Sequence, residues 1–328
     1  MRYRTLGHSN LKVSALGLGL MSMSGVYGKG DDNESMATIQ HALDRGITLL
    51  DSSDMYGWGH NEELLGRALK GRRDKAIVIT KFGQVKNPAG GPNLVNGRPE
   101  YVAQACDASL KRLGLDVIDL YFQHRFDPAV PIEETVGAMK KLIERGKVRA
   151  IGLCEVKPAT VRRAHTVHPL SAVQTEYSLL YRTEAEATLP TCRELGISFV
   201  AYSPLGRSLL TGSVHGPGDI PDGDRRRDHP RFHEQNLAKN VELVRRVEAL
   251  AKEKGCTPAQ LVLAWLLAQG PEIVPIPGSK RKSRVDENLG ALDVTLSPGD
   301  VTRIADAVPA GAAAGPRYPE PQMKGVYL

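Results

Sequence analysis

A carboxylate, a phenol, an ammonium and an imidazole stand at or just beyond the ends of three consecutive apolar runs of this 328-residue chain. Leu49-Leu50-Asp51 closes the first run, with Tyr56 five residues further on. Val78-Ile79-Thr80-Lys81 closes the second, and Leu120-Tyr121-Phe122-Gln123-His124 the third. If these runs are parallel strands, their carboxyl ends share one mouth and the four groups meet there. Together they would form an acid–base set: a phenol with a proton to give, a cation to steady it, a carboxylate to fix the cation and an imidazole to hydrogen-bond an oxygen. Singly, each has a plainer reading. A lone lysine at a strand end is usually solvated, an aspartate there usually forms a cap or turn, a tyrosine beside glycines usually packs, and a lone histidine is as readily structural. The coincidence of all four at adjacent strand ends favours chemistry.

Something must place those ends side by side. Apolar runs at 16–20, 47–51, 76–81, 117–123, 148–153, 172–175, 198–203 and 273–277 alternate with segments of helical period, the pattern of repeated βα units around a parallel sheet. Asn33 is placed to cap one helix and Pro131 to open another, stopped by Gly46 and Gly146 respectively, and further helices are expected at 100–113, 183–195, 235–254 and 258–267. Eight units in one chain predict a single domain over 1–328: a closed (β/α)8 TIM barrel, preceded by a β-hairpin in residues 1–14 that could plug its floor and carrying long loops at its carboxyl face. The rival is a doubly wound dinucleotide-binding sheet. It needs G-x-G-x-x-G after the first strand, and Gly17-Leu18-Gly19-Leu20 runs on into Met21-Ser22 instead. Residues 204–234 are too long and too rich in Gly, Pro and charge for a plain connector, as an active-site cover would be, and the tail after Gly311 is also irregular.

Composition narrows the class. No run approaches the roughly 18 to 20 apolar residues that span a bilayer, and the amino end has no apolar core with a cleavage site, so a cytoplasmic protein is expected. Cys106, Cys154, Cys192 and Cys256 form no C-x-x-C pair and suggest neither zinc nor a dithiol. His165 and His168 share a helix face without a third ligand. The formal charge of +6 could suit a polyanion, yet basic residues mostly interleave with acidic ones. The cluster Arg225-Arg226-Arg227 with His229 and Arg231 lacks any aromatic or nucleic-acid motif, so it is read as loop charge.

The ordered motifs Asp51-Ser52-Ser53-Asp54-Met55-Tyr56-Gly57, Gly59-His60-Asn61-Glu62, Thr80-Lys81-Phe82-Gly83 and Gln123-His124 resemble those of the aldo-keto reductase superfamily. So do Gly146 to Gly152, Ala201 to Gly206 and Ile276-Pro277-Gly278-Ser279, and the branch most similar contains potassium-channel β-subunit-like bacterial reductases. The resemblance spans nearly the whole chain and implies reduction of aldehydes or ketones. Tyr56 would donate the proton, with Lys81 drawing its pKa from about 10 toward neutrality. Asp51 would hold Lys81, and His124 would orient the carbonyl. Hydride transfer implies a nicotinamide. The basic stretch from Gly278 to Arg284, entering a helical pattern, suits the 2'-phosphate of NADPH better than the bare ribose of NADH, although alone it would pass for a solvated turn.

By the same resemblance, Ser279 and Arg284 with Lys280 would take the 2'-phosphate, Glu287 and Asn288 the adenine, Tyr202 the nicotinamide ring and Gln174 its carboxamide. Ser203, Leu205, Gly206 and Arg207 would face the pyrophosphate, and Met21, Asp51 and Gly278 would complete the groove. Where the family usually has Ser-Asn or Ser-Glu at the fifth strand's end, this chain has Cys154-Glu155. A thiol is a poorer donor than a hydroxyl and open to oxidation. The expected partner is a small carbonyl compound, with neither nucleic acid nor membrane; self-assembly is left open. Met21, Met23, Trp58, Phe126 and the tail are candidates for lining the substrate pocket. Two alternatives stand beside the general reductase: an NADPH-binding redox-sensing regulatory subunit with slow turnover, and a reductase dedicated to one sugar or biosynthetic intermediate.

Overall fold

The computed structural model describes residues 1–28 and 30–328. Its strands, in chain order, are β1 (Tyr3–Thr5), β2 (Lys12–Ser14), β3 (Leu18–Gly19), β4 (Leu49–Asp51), β5 (Ile77–Phe82), β6 (Gln84–Val85), β7 (Leu94–Val95), β8 (Ile118–Gln123), β9 (Val148–Cys154), β10 (Ala172–Glu176), β11 (Ser198–Tyr202) and β12 (Ile273–Pro275). β3, β4, β5 and β8 to β12 form one parallel sheet of eight strands in that spatial order. The sheet closes on itself. Gly17 N–H donates to Pro275 O at 2.9 Å, Gly19 N–H to Pro277 O at 3.2 Å, and Gly19 bridges Gly278 in parallel. A Cβ on Gly19 would lie 2.9 Å from Ile276 O, so the closing seam needs a bare backbone. The fold is a (β/α)8 barrel.

Side chains along the strands alternate between two environments, as the pleat requires. Leu49, Ile79, Leu120, Phe122, Ala150, Val200 and Val274 turn inward and fill the barrel, and Leu6, Leu11 and Val13 of the β1–β2 hairpin join that same cluster. Leu50, Val78, Tyr121, Ile151, Val173 and Phe199 turn outward into the layer beneath the helices. The floor is therefore filled, and chemistry is left to the other end.

The helices are α1 (Asp32–Asp44), α2 (His60–Ala68), α3 (Pro99–Leu113), α4 (Ile132–Glu144), α5 (Pro158–Val167), α6 (Thr183–Glu194), α7 (Glu234–Glu253), α8 (Pro258–Ala268), α9 (Lys282–Leu289), α10 (Pro298–Ala307) and α11 (Glu320–Met323). One expected cap is displaced. Asp31, in extended geometry, caps α1 by accepting from Glu34 N at 2.9 Å, while Asn33 lies inside the first turn. α4 opens after Pro131, and the glycines past α1 and α4, Gly46 and Gly146, have φ of 86° and 70°, the left-handed stop that favours glycine. α2, α5, α10 and α11 are additions to the expected set.

Residues 204–234 form a chain of short 3-10 turns, Gly206–Thr211, Pro217–Asp219, Arg225–Asp228 and Pro230–Phe232. The tail crosses back over the barrel, and Arg317 within it is fully buried. Among the described residues, no helix is long and apolar enough to cross a membrane.

Candidate active site

β4 and β5 are hydrogen-bonded neighbours and β8 adjoins β5, so Asp51, Lys81 and His124 arrive at the mouth from three successive strands. All three are buried, and Tyr56, in the loop after β4, is only 8% exposed. Lys81 Nζ donates to Asp51 Oδ1 at 2.6 Å and to Ser52 O at 2.7 Å, and it lies 3.4 Å from Tyr56 Oη. The Tyr56 and His124 rings meet edge to face, with centroids 5.8 Å apart. The four groups are one cluster.

Its electrostatics correct one expectation. Burial pushes the Tyr56 phenol above its ordinary value; Lys81 pulls it back, but Asp51 pushes the other way. Burial is the largest of these influences, and the ammonium, closer to Asp51 than to the phenol, does not overcome it. Tyr56 is thus a firmly protonated hydroxyl rather than one brought near neutrality. Burial works most strongly against the charge of Lys81, but Asp51, through its charge and its hydrogen bond, together with Tyr56 and Cys154 keeps the ammonium. Burial, Arg125 and Lys81 hold the His124 imidazole well below its ordinary value, so it is neutral.

The residues expected around a cofactor divide into three groups. Gln174 lies beside the cluster, donating from Nε2 to Asp51 Oδ2 at 2.8 Å. Met21 begins the turn after β3 and Gly278 sits across the closing seam from Gly19. Ser279 is buried, with its Oγ bonded to Arg281 O at 3.0 Å and accepting from Arg281 N at 3.1 Å. Lys280 Nζ donates to Tyr27 O at 2.8 Å. Arg284 pairs with Glu287, and Asn288 is buried in the same helix. The start of α9 carries no side-chain cap, so amide N–H groups of its first turn remain for an acceptor.

A third group is engaged by the tail. Arg317 donates to Glu155 Oε1 at 2.7 Å and to Glu155 Oε2 and Glu184 Oε2, and it also reaches Tyr202 Oη at 3.0 Å. Tyr202 Oη shares a further hydrogen bond of 3.0 Å with Tyr318 Oη. Arg207 pairs with Glu176 at 3.1 Å and donates to Arg317 O, and Arg231 also reaches Glu176. Although burial disfavours its charge, Arg317 holds the Glu155 carboxyl below its ordinary value. Ser203 and Arg207 have φ of 46° and 56°, so they, with Leu205 and Gly206 between them, make an irregular turn at the end of β11. Arg225 N–H donates to Val26 O at 3.4 Å and the Arg226 guanidinium lies over the Tyr27 ring. The long loop thereby reaches the segment after β3.

Cys154 is buried in the barrel interior, where burial pushes its thiol up to about 12. That is the opposite of the setting that makes a thiol reactive. Sequence reasoning missed Ser53, whose Oγ lies 3.0 Å from His124 Nδ1, and it missed Glu176 and Arg317; Arg231 and His229, expected to be loop charge, are instead buried against Glu176 and Arg317 O. Ser53 stood inside a motif already singled out; Arg317 lay in a tail without periodicity.

A profile described as the aldo/keto reductase family matches residues 15–309. An aldo-keto reductase of Schizosaccharomyces pombe, yakc, named for NADP(+), is 48% identical over 316 residues, covering 94% of this chain and 93% of its own. A probable aldo-keto reductase of Glycine max is likewise 48% identical, covering 95% and 90%. Among solved structures, a glycerol dehydrogenase of Gluconobacter oxydans superposes with a TM-score of 0.84 at 29% identity, covering 93% of this chain and 94% of that one. A holo aldo-keto reductase of Bacillus halodurans gives 0.79 at 27% identity, covering 95% and 97%.

Proposed function

Because this chain belongs to the aldo/keto reductase family, we propose that it reduces an aldehyde or ketone to the alcohol with Tyr56 as the proton donor. It is an NADP-dependent oxidoreductase. The observation that carries the proton assignment is the buried contact line from Asp51 through Lys81 to Tyr56, with His124 against the Tyr56 ring.

The residues present fit the cofactor. The uncapped start of α9, with exposed Arg281, Lys282 and Arg284 around it, offers N–H groups and cations to a phosphate. The exposed bare backbone of Gly278 leaves room at the rim. Ser279, Lys280 and Arg284 would take the 2'-phosphate, Glu287 and Asn288 the adenine, and the turn through Ser203, Leu205, Gly206 and Arg207 the pyrophosphate, with Met21, Gln174 and Tyr202 near the reacting ring. Asp51, Cys154 and Glu155 would border the nicotinamide; Glu155, paired with Arg317, would act there through the tail it anchors. When bound, NADPH supplies the hydride that carbonyl reduction needs.

The protein's own work is on the oxygen. Tyr56 and His124 converge on one small volume, where two hydrogen-bond donors polarise a carbonyl and stabilise charge developing on it. The protonated phenol gives up its proton to that oxygen, and Lys81, fixed by Asp51, stabilises the phenolate left behind. Burial of all four groups makes this interaction stronger than it would be in water.

The test uses the purified protein with NADPH and a panel of small aldehydes and ketones, following loss of reduced nicotinamide absorbance. Wild type should turn over at least one of them. Tyr56→Phe should lose most of kcat, roughly a hundredfold or more, while still binding NADPH. Undiminished turnover in Tyr56→Phe would remove the proton-donor assignment.

A further inference from the structure

Ser53 has one hydroxyl proton and several acceptors within reach. Its Oγ lies 3.0 Å from His124 Nδ1, 3.3 Å from Asp54 Oδ1 and 3.5 Å from Lys81 O, and it accepts from Met55 N at 3.4 Å. Ser53 is fully buried, so no water competes freely for that proton. A neutral imidazole carries hydrogen on one nitrogen only. If Ser53 donates to Nδ1, the hydrogen of His124 resides on Nε2, which can then donate to a carbonyl oxygen. If Ser53 turns its proton toward Asp54, it must accept from Nδ1–H instead, and Nε2 is left bare. One hydroxyl rotor therefore links Asp54 to the tautomer of His124.

We propose that Ser53 is a positioning residue that sets which nitrogen of His124 carries the proton, and that Asp54 competes for the same hydroxyl proton, so that the charge on Asp54 decides whether His124 can donate to a bound carbonyl. This rests on the reading of His124 as a carbonyl hydrogen-bond donor.

Asp54 is suited to such a role. Burial, then the nearby Glu62 carboxylate, push its carboxyl up to about 7, against the pull of Arg112 and the bonds from Ser53 and Met55 N–H. Arg112 is itself spent on Glu62, at 2.6 Å. Tyr101 also faces Asp54, with a phenol raised above its ordinary value by burial and Asp54, and so remains neutral in the range where Asp54 titrates. Below that range Asp54 is a neutral acid and a weak competitor; above it, a carboxylate attracts the serine proton. Tyr56 and Lys81 are both held above their ordinary values and do not titrate in this window.

The tautomer is read directly by nitrogen-15 correlation spectra of histidine-labelled protein without substrate, with His124 assigned by comparison with His124→Asn. The expected result is Nε2–H at pH 6 with a shift toward Nδ1–H by pH 9, absent in Asp54→Asn. In parallel, wild-type kcat should decline as pH rises past about 7, while Asp54→Asn keeps a flat profile. Ser53→Ala should lower kcat by roughly tenfold to a hundredfold with unchanged NADPH affinity, and Ser53→Cys should recover part of it. The same tautomer at both pH values in wild type overturns the proposal. A tautomer that switches as stated without any effect on kcat leaves the serine link standing and removes His124 from the reaction instead.

Discussion

Lys81 has no slack in its hydrogen bonding: Asp51, Ser52 O and Tyr56 Oη take its three protons, and its side chain is fully buried. Lys81→Met would leave Asp51 buried with only Gln174 to offset its charge. We expect loss of about 3 to 5 kcal/mol of stability, measured by urea unfolding, beside loss of turnover. The double replacement Asp51→Asn with Lys81→Met should recover much of that stability without recovering activity. Histidines supply a second residue-scale prediction. Burial, then Arg207, lower the His229 pKa from 6.5 to about 4, and its Nδ1–H donates to Arg317 O at 2.9 Å. In this window the unfolded chain binds a proton that the folded chain refuses. Stability should therefore be complete above pH 6.5 and decline toward pH 4, by up to about 1.4 kcal/mol per pH unit. His229→Phe should flatten that slope, and an unaltered slope would show that His229 does not contribute to it.

At the scale of elements, one tight point lies where β8, β9 and β10 run side by side. A Cβ on Gly152 would stand 2.4 Å from Phe122 Cε1 and 2.5 Å from Ala172 O, and the latter is backbone that cannot turn away. Gly152→Ala should cost about 1 to 3 kcal/mol or more, seen as a lower midpoint in urea. The eight strand positions were legible because buried parallel strands are nearly continuous runs of Val, Ile and Leu, and Asp51, Lys81 and His124 were legible because they end such runs. Tyr56 needed its motif. The cap at Asp31 was misplaced to Asn33 because Asp31, Asp32 and Asn33 are all competent caps and only backbone geometry chooses among them. Acidity was misjudged at Tyr56 because burial, the largest influence on it, is not written in residue order. Arg317 was invisible for a related reason: its partners Glu155, Glu176 and Glu184 lie more than a hundred residues away.

Across the whole molecule, the tail is fastened to the barrel mouth by buried charge. Arg317, Arg207 and Arg231 interlock with Glu155, Glu176 and Glu184, and Leu328 O accepts from Lys157 N at 2.8 Å. Arg317→Met should strand Glu155 without its cation, cost about 3 to 5 kcal/mol and expose the segment after Val308 to limited proteolysis. A tail that stays protected in that variant would mean the remaining contacts suffice.

The seam where Gly19 meets Gly278 also constrains how the chain is made. A ribosome releases the first barrel strand long before the eighth exists, so for most of synthesis the nascent sheet has an unpaired edge at β3. Such edges template aggregation, and pairing across so great a sequence distance is slow. Cylinder closure must wait until β12 has been made, and until then the growing chain depends on its early helices or on chaperones to shield the open side.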